Sequence, residues 1–343
     1  QYYSTTQFLG ESGEQTGLVY STMGNSKLKP ERSTEIEVGL DASLFDSRLS
    51  AELTYYNKQS KDALISRILP PSLGMGSTSR LENLGQVGNS GVEALIDLTV
   101  LRRSDLEWKW TLNASMNDNK LVSLGGLPTI VSSSTQQQRE GYPINAWWSR
   151  RLLGWEDKDG NGIISYNSDP TKSEITVSDT VQNTGRSAPK YEAAFTNGIS
   201  VWNGQLRLDA MVDAKAGHWM YNNTQRIRCA SRFNCRGLVD KTASLFEQAR
   251  TVMVREHPSR SVAGFLEKAD FVRFRELSVT FSPPNDFAGG ILHGRTLSAT
   301  VAARNLGVIW TKYTGVDPEA YFGSNTDGTS EFQSFGPKRY YTL

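Results

Sequence analysis

The sequence predicts an all-β fold, an antiparallel transmembrane β-barrel, and three observations support this prediction. Apolar and polar residues alternate in segment after segment of the 343-residue chain, as they do in strands whose two faces meet different surroundings. Short turns and long polar connections follow one another between these segments, which is typical of outer-membrane barrels. No apolar run approaches the length of a membrane-spanning helix, about 18 residues, so a membrane crossing has to use strands.

The first predicted hairpin is centred on the turn Phe45–Ser47. Glu35–Leu44 alternates strictly between polar and apolar residues, and Arg48–Tyr55 does the same. A turn this short predicts direct antiparallel pairing of the two strands.

Two more hairpins follow the same pattern. Residues 92–100 are predicted to pair with 106–116, and 191–201 with 206–216. The second of these turns contains Asn203-Gly204, the strongest short hairpin signal.

The remaining strands are predicted towards the end of the chain. In 271–281 the apolar phase changes near Arg275 and Glu276, which predicts a β-bulge. Further strands begin at Leu297 and Lys338, and the predicted total is about ten, a number compatible with a closed barrel or with part of a larger one.

Four segments are predicted as long connections. They are polar or rich in Gly, Ser, Asn and Pro, and they cover residues 1–30, 67–82, 125–188 and 220–268. We expect a strand around Ala146–Leu153 and a short surface helix within Gly237–His257.

The charge balance, the apolar strand faces and the N-terminal sequence limit the possible partners. The 37 Lys and Arg residues nearly balance the 36 Asp and Glu residues, so nucleic acid is not an expected partner. The apolar face of the strands is expected to contact outer-membrane lipids. Because Gln1–Gly10 lacks a secretory signal, we expect a processed chain or a fragment.

Two cysteines lie close together in the polar stretch RCASRFNC. The six-residue spacing of Cys229 and Cys235 allows a disulfide bridge in an oxidising compartment, and the alternative is a pair of free loop thiols.

One loop resembles the beginning of a calcium-binding loop. Asp157, Asp159, Asn161 and Ile163 stand at the odd positions that supply ligands, with Gly162 at the sharp turn. Ser168 replaces the expected bidentate Glu, so the alternative is an Asp/Asn/Gly-rich turn that binds nothing. Ca²⁺ is the one cofactor that the sequence suggests.

Four aromatic residues form a candidate substrate platform. Tyr142, Trp147, Trp148 and Trp155 could stack on a sugar or a peptide, or could instead anchor the loops and the membrane interface.

Catalysis has no support in the sequence. The histidines His218, His257 and His293 are scattered, and no G-x-S-x-G or phosphate-binding loop occurs. Carboxylates two residues apart along a strand simply line one wet face. We therefore expect no enzyme, and an outer-membrane hydrolase is disfavoured because it needs a nucleophile paired with a base.

Four motifs span nearly the whole chain. LKPERSTEIEVG opens Leu28–Asp62, which continues into YYNKQSKD. NLGQVGNSGVE lies in Asn83–Ile96 and ADFVRFRELS in Ala269–Ser278. The last motif combines ARNL at Ala303–Leu306 with YTGVDPE at Tyr313–Glu319. In this order the motifs resemble those of the SusC/RagA family of TonB-dependent outer-membrane transporters.

The resemblance implies a 22-stranded barrel with an N-terminal plug, located in the bacterial outer membrane, energised by TonB and often capped by a SusD-like surface lipoprotein. Residues 1–343 would be the C-terminal portion of this barrel, and the plug, the TonB box and the contact with the TonB complex would lie in a missing N-terminal region. The implied function is active import of nutrient oligomers, of the glycan or peptide class. The chain departs from the family in lacking the usual terminal aromatic residue after Leu343.

A secreted carbohydrate-binding β-sandwich is the main alternative. It would produce the same alternation, but its apolar faces would pack against one another instead of against lipid.

Overall fold

The computed structural model describes residues 2–10, 13–69, 72, 79–133, 135–284, 297–322 and 330–343. The first third consists of long strands. These are β1 (Tyr2–Gly10), β2 (Gly13–Thr22), β3 (Arg32–Leu44), β4 (Leu49–Ile68), β5 (Ser79–Arg102) and β6 (Leu106–Ser123).

Short strands then alternate with loops before two long strands return. These are β7 (Ile130–Val131), β8 (Gln137–Gln138), β9 (Trp147–Ser149), β10 (Leu152–Trp155), β11 (Ile175–Val177), β12 (Gln182–Gly185), β13 (Tyr191–Val201), β14 (Leu206–Ala216) and β15 (Trp219–Asn222).

Three helices precede the last strands. They are α1 (Asn223–Ala230), α2 (Arg236–Val239) and α3 (Leu245–Arg255), followed by a 3₁₀ turn at Ala263–Phe265, β16 (Leu266–Lys268), β17 (Phe271–Phe281), β18 (Ala299–Thr311), β19 (Ser330–Glu331) and β20 (Tyr340–Thr342). Among the described residues, no helix combines the length and the hydropathy that a membrane crossing requires.

Nine strands form one antiparallel sheet in the order β20-β18-β17-β14-β13-β6-β5-β4-β3. The predicted hairpins are confirmed, since Leu44 faces Leu49 and Val201 faces Leu206 across their turns. Both turns use left-handed backbone, and Asn203 and Gly204 adopt it at low cost. The all-β, antiparallel barrel class predicted from the sequence is therefore confirmed.

The predicted bulge is also confirmed. Glu276 pairs with Met211 and Phe274 with Val212, so Arg275 is the additional residue in β17. A bulge strengthens the local twist and redirects the side chains around it.

Two predicted connections are partly wrong because the strands are longer than the turn residues suggested. The first 30 residues contain the hairpin of β1 and β2 instead of a loop. In the predicted loop 67–82, β4 runs to Ile68 and β5 starts at Ser79, while residues 70, 71 and 73–78 lie outside the described part.

Two predicted elements in the loops also differ from the structure. The strand expected at Ala146–Leu153 is divided into β9 and β10, which pair with different partners, β12 and β11. The helix expected on the surface is α3, and seven of its residues, from Gln248 to Val254, are buried.

The sheet has one apolar and one polar face. Directly paired residues share a face, so Leu40, Leu53, Ala94, Ala114 and Ala193 form one apolar row across five strands. No second layer covers this face within the described residues, and many of its large side chains are exposed. Examples are Ile36, Val38, Leu40, Leu53, Tyr55, Val92, Trp110, Phe195, Leu208, Val279 and Val301.

The buried apolar clusters lie mainly in the loops. One cluster joins α3 to the loop strands through Ile164, Ile175, Ala249, Val252 and Met253. A second contains Cys229, Cys235, Val254 and Phe265. The long connections therefore pack together into a folded loop region.

Candidate functional site

The polar face of the sheet carries charges in register across several strands. Asp41 faces Glu52 across the first hairpin, and Asp213 faces Arg273 between β14 and β17. Ion pairs such as Arg304–Glu276, at 2.6 Å, partly neutralise these charges. Such a face suits a water-filled lumen, because water solvates charged side chains that would cost free energy if they were buried without partners.

A network of ion pairs fixes the YTGVDPE segment to this face. Arg273, only 2% of whose side chain is exposed, lies 2.5 Å from Asp317 and 2.7 Å from Glu319. The bulge residue Arg275 lies 2.6 Å from Asp213 and 3.0 Å from Glu319. The ADFVRFRELS and YTGVDPE motifs thus meet in space.

This network was not predicted as a site. The sequence showed the two motifs only as parts of a resemblance, 40 or so residues apart. The position of the buried Arg273 beside the partly buried Arg275 is visible only when the register of β17 is known.

The candidate calcium loop brings together three carboxylates. Ligand oxygens of Asp157, Asp159 and Glu174 all lie within 4.8 Å of one another. Glu174, which is almost completely buried, supplies the acidic group that the sequence lacked at Ser168. Three carboxylates this close repel one another when ionised, and a dication would relieve the repulsion.

The other predicted ligands are used differently. Asn161 accepts a hydrogen bond from the backbone N–H of Ile163 at 2.7 Å and donates one to Asp159 at 2.7 Å. The Asn161 side chain therefore closes the turn. The calcium site stays a prediction, now with Glu174 as an additional candidate ligand.

Hydrogen bonds hold two of these carboxyl groups in the ionised form. The backbone N–H of Gly162 is the main cause of the lowered pKa of Asp157. Burial by itself would raise the pKa of Glu174, but hydrogen bonds from Ser165 and Lys158 outweigh it and lower the pKa. Both groups are thus available to a cation at neutral pH.

The predicted aromatic platform does not form as a unit. Trp147 and Trp148 are 2% and 3% exposed, which favours the anchoring role that the sequence left open over a ligand-stacking role. Trp147 donates a hydrogen bond to the carbonyl of Trp219 at 2.8 Å, and Trp148 packs against Tyr142. The indoles anchor the loops because their large apolar area is better buried than exposed.

Tyr142 and Trp155 remain candidates for substrate contact. Each is 41% exposed. Trp155 packs against Phe246 with ring centroids 5.1 Å apart, whereas Tyr142 packs on Trp148.

Cys229 and Cys235 form a disulfide bridge with a Cα–Cα distance of 4.9 Å. The bridge lies between α1 and α2, and Thr251 of α3 contacts both sulfur atoms. Both cysteines are buried, so the bridge is part of the loop region's core.

Comparison with known proteins finds matches to TonB-dependent receptors. Residues 1–147 match the model of the TonB-dependent receptor-like β-barrel. TonB-dependent receptor P3 of Formosa agariphila is 26% identical over 358 residues, which cover 95% of this chain and 35% of that protein. The resemblance to the barrel portion of TonB-dependent receptors, predicted from the sequence, is therefore confirmed. The predicted location of this β-barrel protein in the outer membrane is also confirmed.

Further relatives agree with the SusC/RagA resemblance. TonB-dependent receptor SusC of Bacteroides thetaiotaomicron is 26% identical over 163 residues, 41% of this chain and 16% of SusC. The fold matches a structure of the RagAB peptide transporter with a TM-score of 0.75 and 22% identity, over 99% of this chain and 37% of that one. The chain spans about a third of the length of the curated receptors it matches over nearly its whole extent.

Proposed function

We propose that this receptor chain takes part in TonB-dependent, SusC-like import of nutrient oligomers, of the glycan or peptide class, across the outer membrane. Residues 1–343 form the C-terminal portion of a larger barrel in this proposal, and a plug and a TonB-contacting segment belong to the parent protein. A SusD-like surface lipoprotein is the proposed partner. TonB-dependent receptors transport or bind their substrates and are not a family of enzymes, and we propose no reaction for the chain.

One observation carries the proposal, namely the two faces of the nine-stranded sheet. The apolar row from Leu40 to Ala193 is open to the surroundings, as lipid contact requires. The other face has charged residues such as Asp41 and Arg273 in register. A barrel built from such strands separates lipid from a wet lumen through which a polar oligomer can pass.

The sandwich alternative is wrong for the described residues. A sandwich places a second sheet about 10 Å away over the apolar face. Here the additional sheets have two or three strands each and involve β1 and β2 or the loop segments. The exposed side chains at Ile36, Val38 and Leu40 have no layer over them.

The substrate class is supported by relatives and by the wet face. The name of one structural relative states that RagAB transports peptides, and SusC is a relative by sequence. Charged and amide side chains on the polar face can bind the polar groups of either a glycan or a peptide.

A second proposal concerns the loop Asp157–Ile163. We propose that it binds Ca²⁺ through Asp157, Asp159 and Glu174, because the structure gathers these three carboxylates within 4.8 Å. Such an ion would fix the connection between β10 and β11 on the loop side of the receptor.

Transport assays in cells test the import proposal. Cells carrying the intact receptor are given fluorescent pools of oligosaccharides and of oligopeptides, with and without functional TonB. We expect one pool to enter only the cells with TonB, while surface binding is the same in both. Equal uptake without TonB, or recovery of the receptor outside the outer-membrane fraction, would contradict the proposal.

A further inference from the structure

Three cations lie on the apolar face of the sheet, at the end where the long loops begin. Arg32 pairs directly with Lys61, and β3 and β4 are in uninterrupted register from there to the apolar pair Leu40–Leu53. Lys120 lies on β6 six residues after Ala114, which belongs to the same apolar row. Residues an even number of positions apart along a regular strand share a face, so all three cations are on the face that carries the apolar row.

These three cations are exposed and have no counterion in the described part of the chain. None of their side chains takes part in an ion pair or a hydrogen bond there. Arg32 and Lys61 are like charges directly opposite each other, which destabilises a strand pair unless an anion neutralises them. Asp118, on the same face of β6, is already shared by Arg186 at 3.1 Å and Lys190 at 3.4 Å.

Charge on this face of the first hairpin is confined to the loop end. None of the other directly paired positions on the face is charged. They are Thr34–Gln59, Ile36–Asn57, Val38–Tyr55, Leu40–Leu53, Ala42–Ala51 and Leu44–Leu49. An uncharged face that ends in cations is expected where strands leave the hydrocarbon, because Lys and Arg extend their charged ends into the headgroup layer.

The length of β3 places Arg32 at this boundary. The strand has 13 residues from Arg32 to Leu44, which lies beside the short turn. With a rise of about 3.4 Å per residue and a tilt of about 35–45°, it spans roughly 30 Å along the membrane normal. The apolar band of an outer-membrane barrel is about 25 Å tall, so Arg32 and its partner Lys61 lie just beyond one edge of the band.

The loops show which leaflet lies at this edge. Short turns of outer-membrane barrels face the periplasm, and long loops face the exterior. β4 and β6 each have two neighbours in the sheet, so a strand added to complete the barrel does not lie beside Lys61 or Lys120. The lumen and any substrate in it are on the opposite face. The anions within reach are therefore the headgroups of the outer leaflet.

We propose that Arg32, Lys61 and Lys120 bind the phosphate groups of the glycolipid that forms the outer leaflet of the outer membrane. The guanidinium of Arg32 can donate two parallel hydrogen bonds to phosphate oxygens, and the lysines contribute point charges. Such contacts fix the depth of the first hairpin in the membrane. This inference rests on the lipid contact in the proposed function and identifies the lipid group bound at its loop end.

Lipid binding to the intact receptor in detergent tests the proposal. Native mass spectrometry compares lipid A that carries its phosphate groups with the same lipid A after their removal. We expect the phosphorylated form to bind at least about fivefold more tightly, since one cation near an anionic lipid surface contributes roughly this factor. The variant that combines Arg32→Gln, Lys61→Gln and Lys120→Gln should lose this preference.

Two control variants isolate the effect of charge on this face. Combining Arg32→Lys, Lys61→Arg and Lys120→Arg retains the three charges and should retain the preference. Lys58→Gln removes a cation from the opposite face of the same hairpin, where Lys58 pairs with Glu35 at 3.1 Å, and should also retain it. Phosphate-free lipid A should bind all variants equally if they are folded, because its acyl chains contact the apolar face.

The possible results separate this inference from the import proposal. Equal binding of the two lipid forms, an equal loss in Lys58→Gln, or displacement of phosphorylated lipid A by inorganic phosphate would overturn the inference and leave TonB-dependent import untouched. Failure of both lipid forms to bind would refute the lipid contact itself, and with it the proposed function.

Discussion

Several polar side chains are buried in the loop region, and their environment decides their chemistry. His218 is 2% exposed, and neither of its ring nitrogens has a partner among the described residues. Glu331, in contrast, is completely buried but accepts hydrogen bonds from the hydroxyl of Tyr313 at 2.7 Å and from the backbone N–H of Val316 at 3.1 Å. Burial without a hydrogen-bond partner makes protonation of His218 costly in the folded state.

His218 should make the loop region less stable in acid. Its burial lowers the pKa to about 4, against an ordinary value of about 6.5 in the unfolded chain. As the pH falls from about 6.5 to 4 the unfolded state therefore binds the proton first, and the folded state loses up to roughly 3 kcal/mol. Thermal unfolding of the receptor, measured between pH 7.5 and 4, should show a smaller decline for His218→Gln; identical declines would contradict this prediction.

Calcium should bind the carboxylate cluster with an affinity on the order of millimolar or tighter. Asp157→Asn and Glu174→Gln should each weaken Ca²⁺ binding, measured by calorimetry on the intact receptor, because each removes a charged ligand. Asp169→Asn is the control, since the Asp169 carboxylate instead caps its own turn through Thr171. The calcium proposal fails if Ca²⁺ that is added back to the chelator-treated receptor produces no heat of binding.

At the level of elements, the long strands and their hairpins could be predicted, whereas the packing of α3 could not. The period-two pattern is local, so it showed β3, β4, β13 and β14 directly. The helix α3 has a capping box between Ser244 and Glu247, but its burial depends on Ile164 and Ile175, roughly 70 to 90 residues earlier in the chain. Such long-range packing leaves no local signal.

Truncation of Met253 should destabilise the loop region. Met253 is fully buried in the cluster with Ile164, Ile175, Ala249 and Val252, and replacing such a side chain by Ala costs about 2–5 kcal/mol. Leu245→Ala on the same helix is the control, because Leu245 is exposed. Thermal unfolding followed by loop-region fluorescence should show a clearly larger loss for Met253→Ala, and equal losses would argue against a packed loop region.

At the level of the whole molecule, the two faces of the sheet determine where the protein can reside. The apolar row through Leu40 and Leu53 lies on one face of the sheet, and the row through Asp41 and Glu52 lies on the opposite face of the same strands. Adjacent residues of β3 therefore point to opposite sides, one to the proposed lipid contact and the next to the proposed lumen.

Arginine substitutions at Leu40 and at Asp41 should distinguish the two faces of the sheet. Leu40→Arg puts a charge on the apolar face and should cost up to about 2–4 kcal/mol if the position lies near the bilayer midplane. Asp41→Arg changes the charge on the wet face and should be tolerated. Denaturant unfolding in lipid vesicles and the amount of folded receptor in the outer membrane measure the difference; equal behaviour of the two variants would refute the assignment of the faces.

The sequence by itself determined the strand class, the main hairpins, the bulge at Arg275 and the family resemblance, because alternation and turn residues act over a few neighbouring positions. It also pointed to Asp157 and Asp159, whose spacing is local. Only the tertiary structure showed that Glu174 joins the carboxylate cluster, that Trp147 and Trp148 are buried, and that Arg273 pairs with Asp317. These outcomes depend on contacts between distant segments, and the free energy of burying or pairing a side chain is decided by the neighbours that folding supplies.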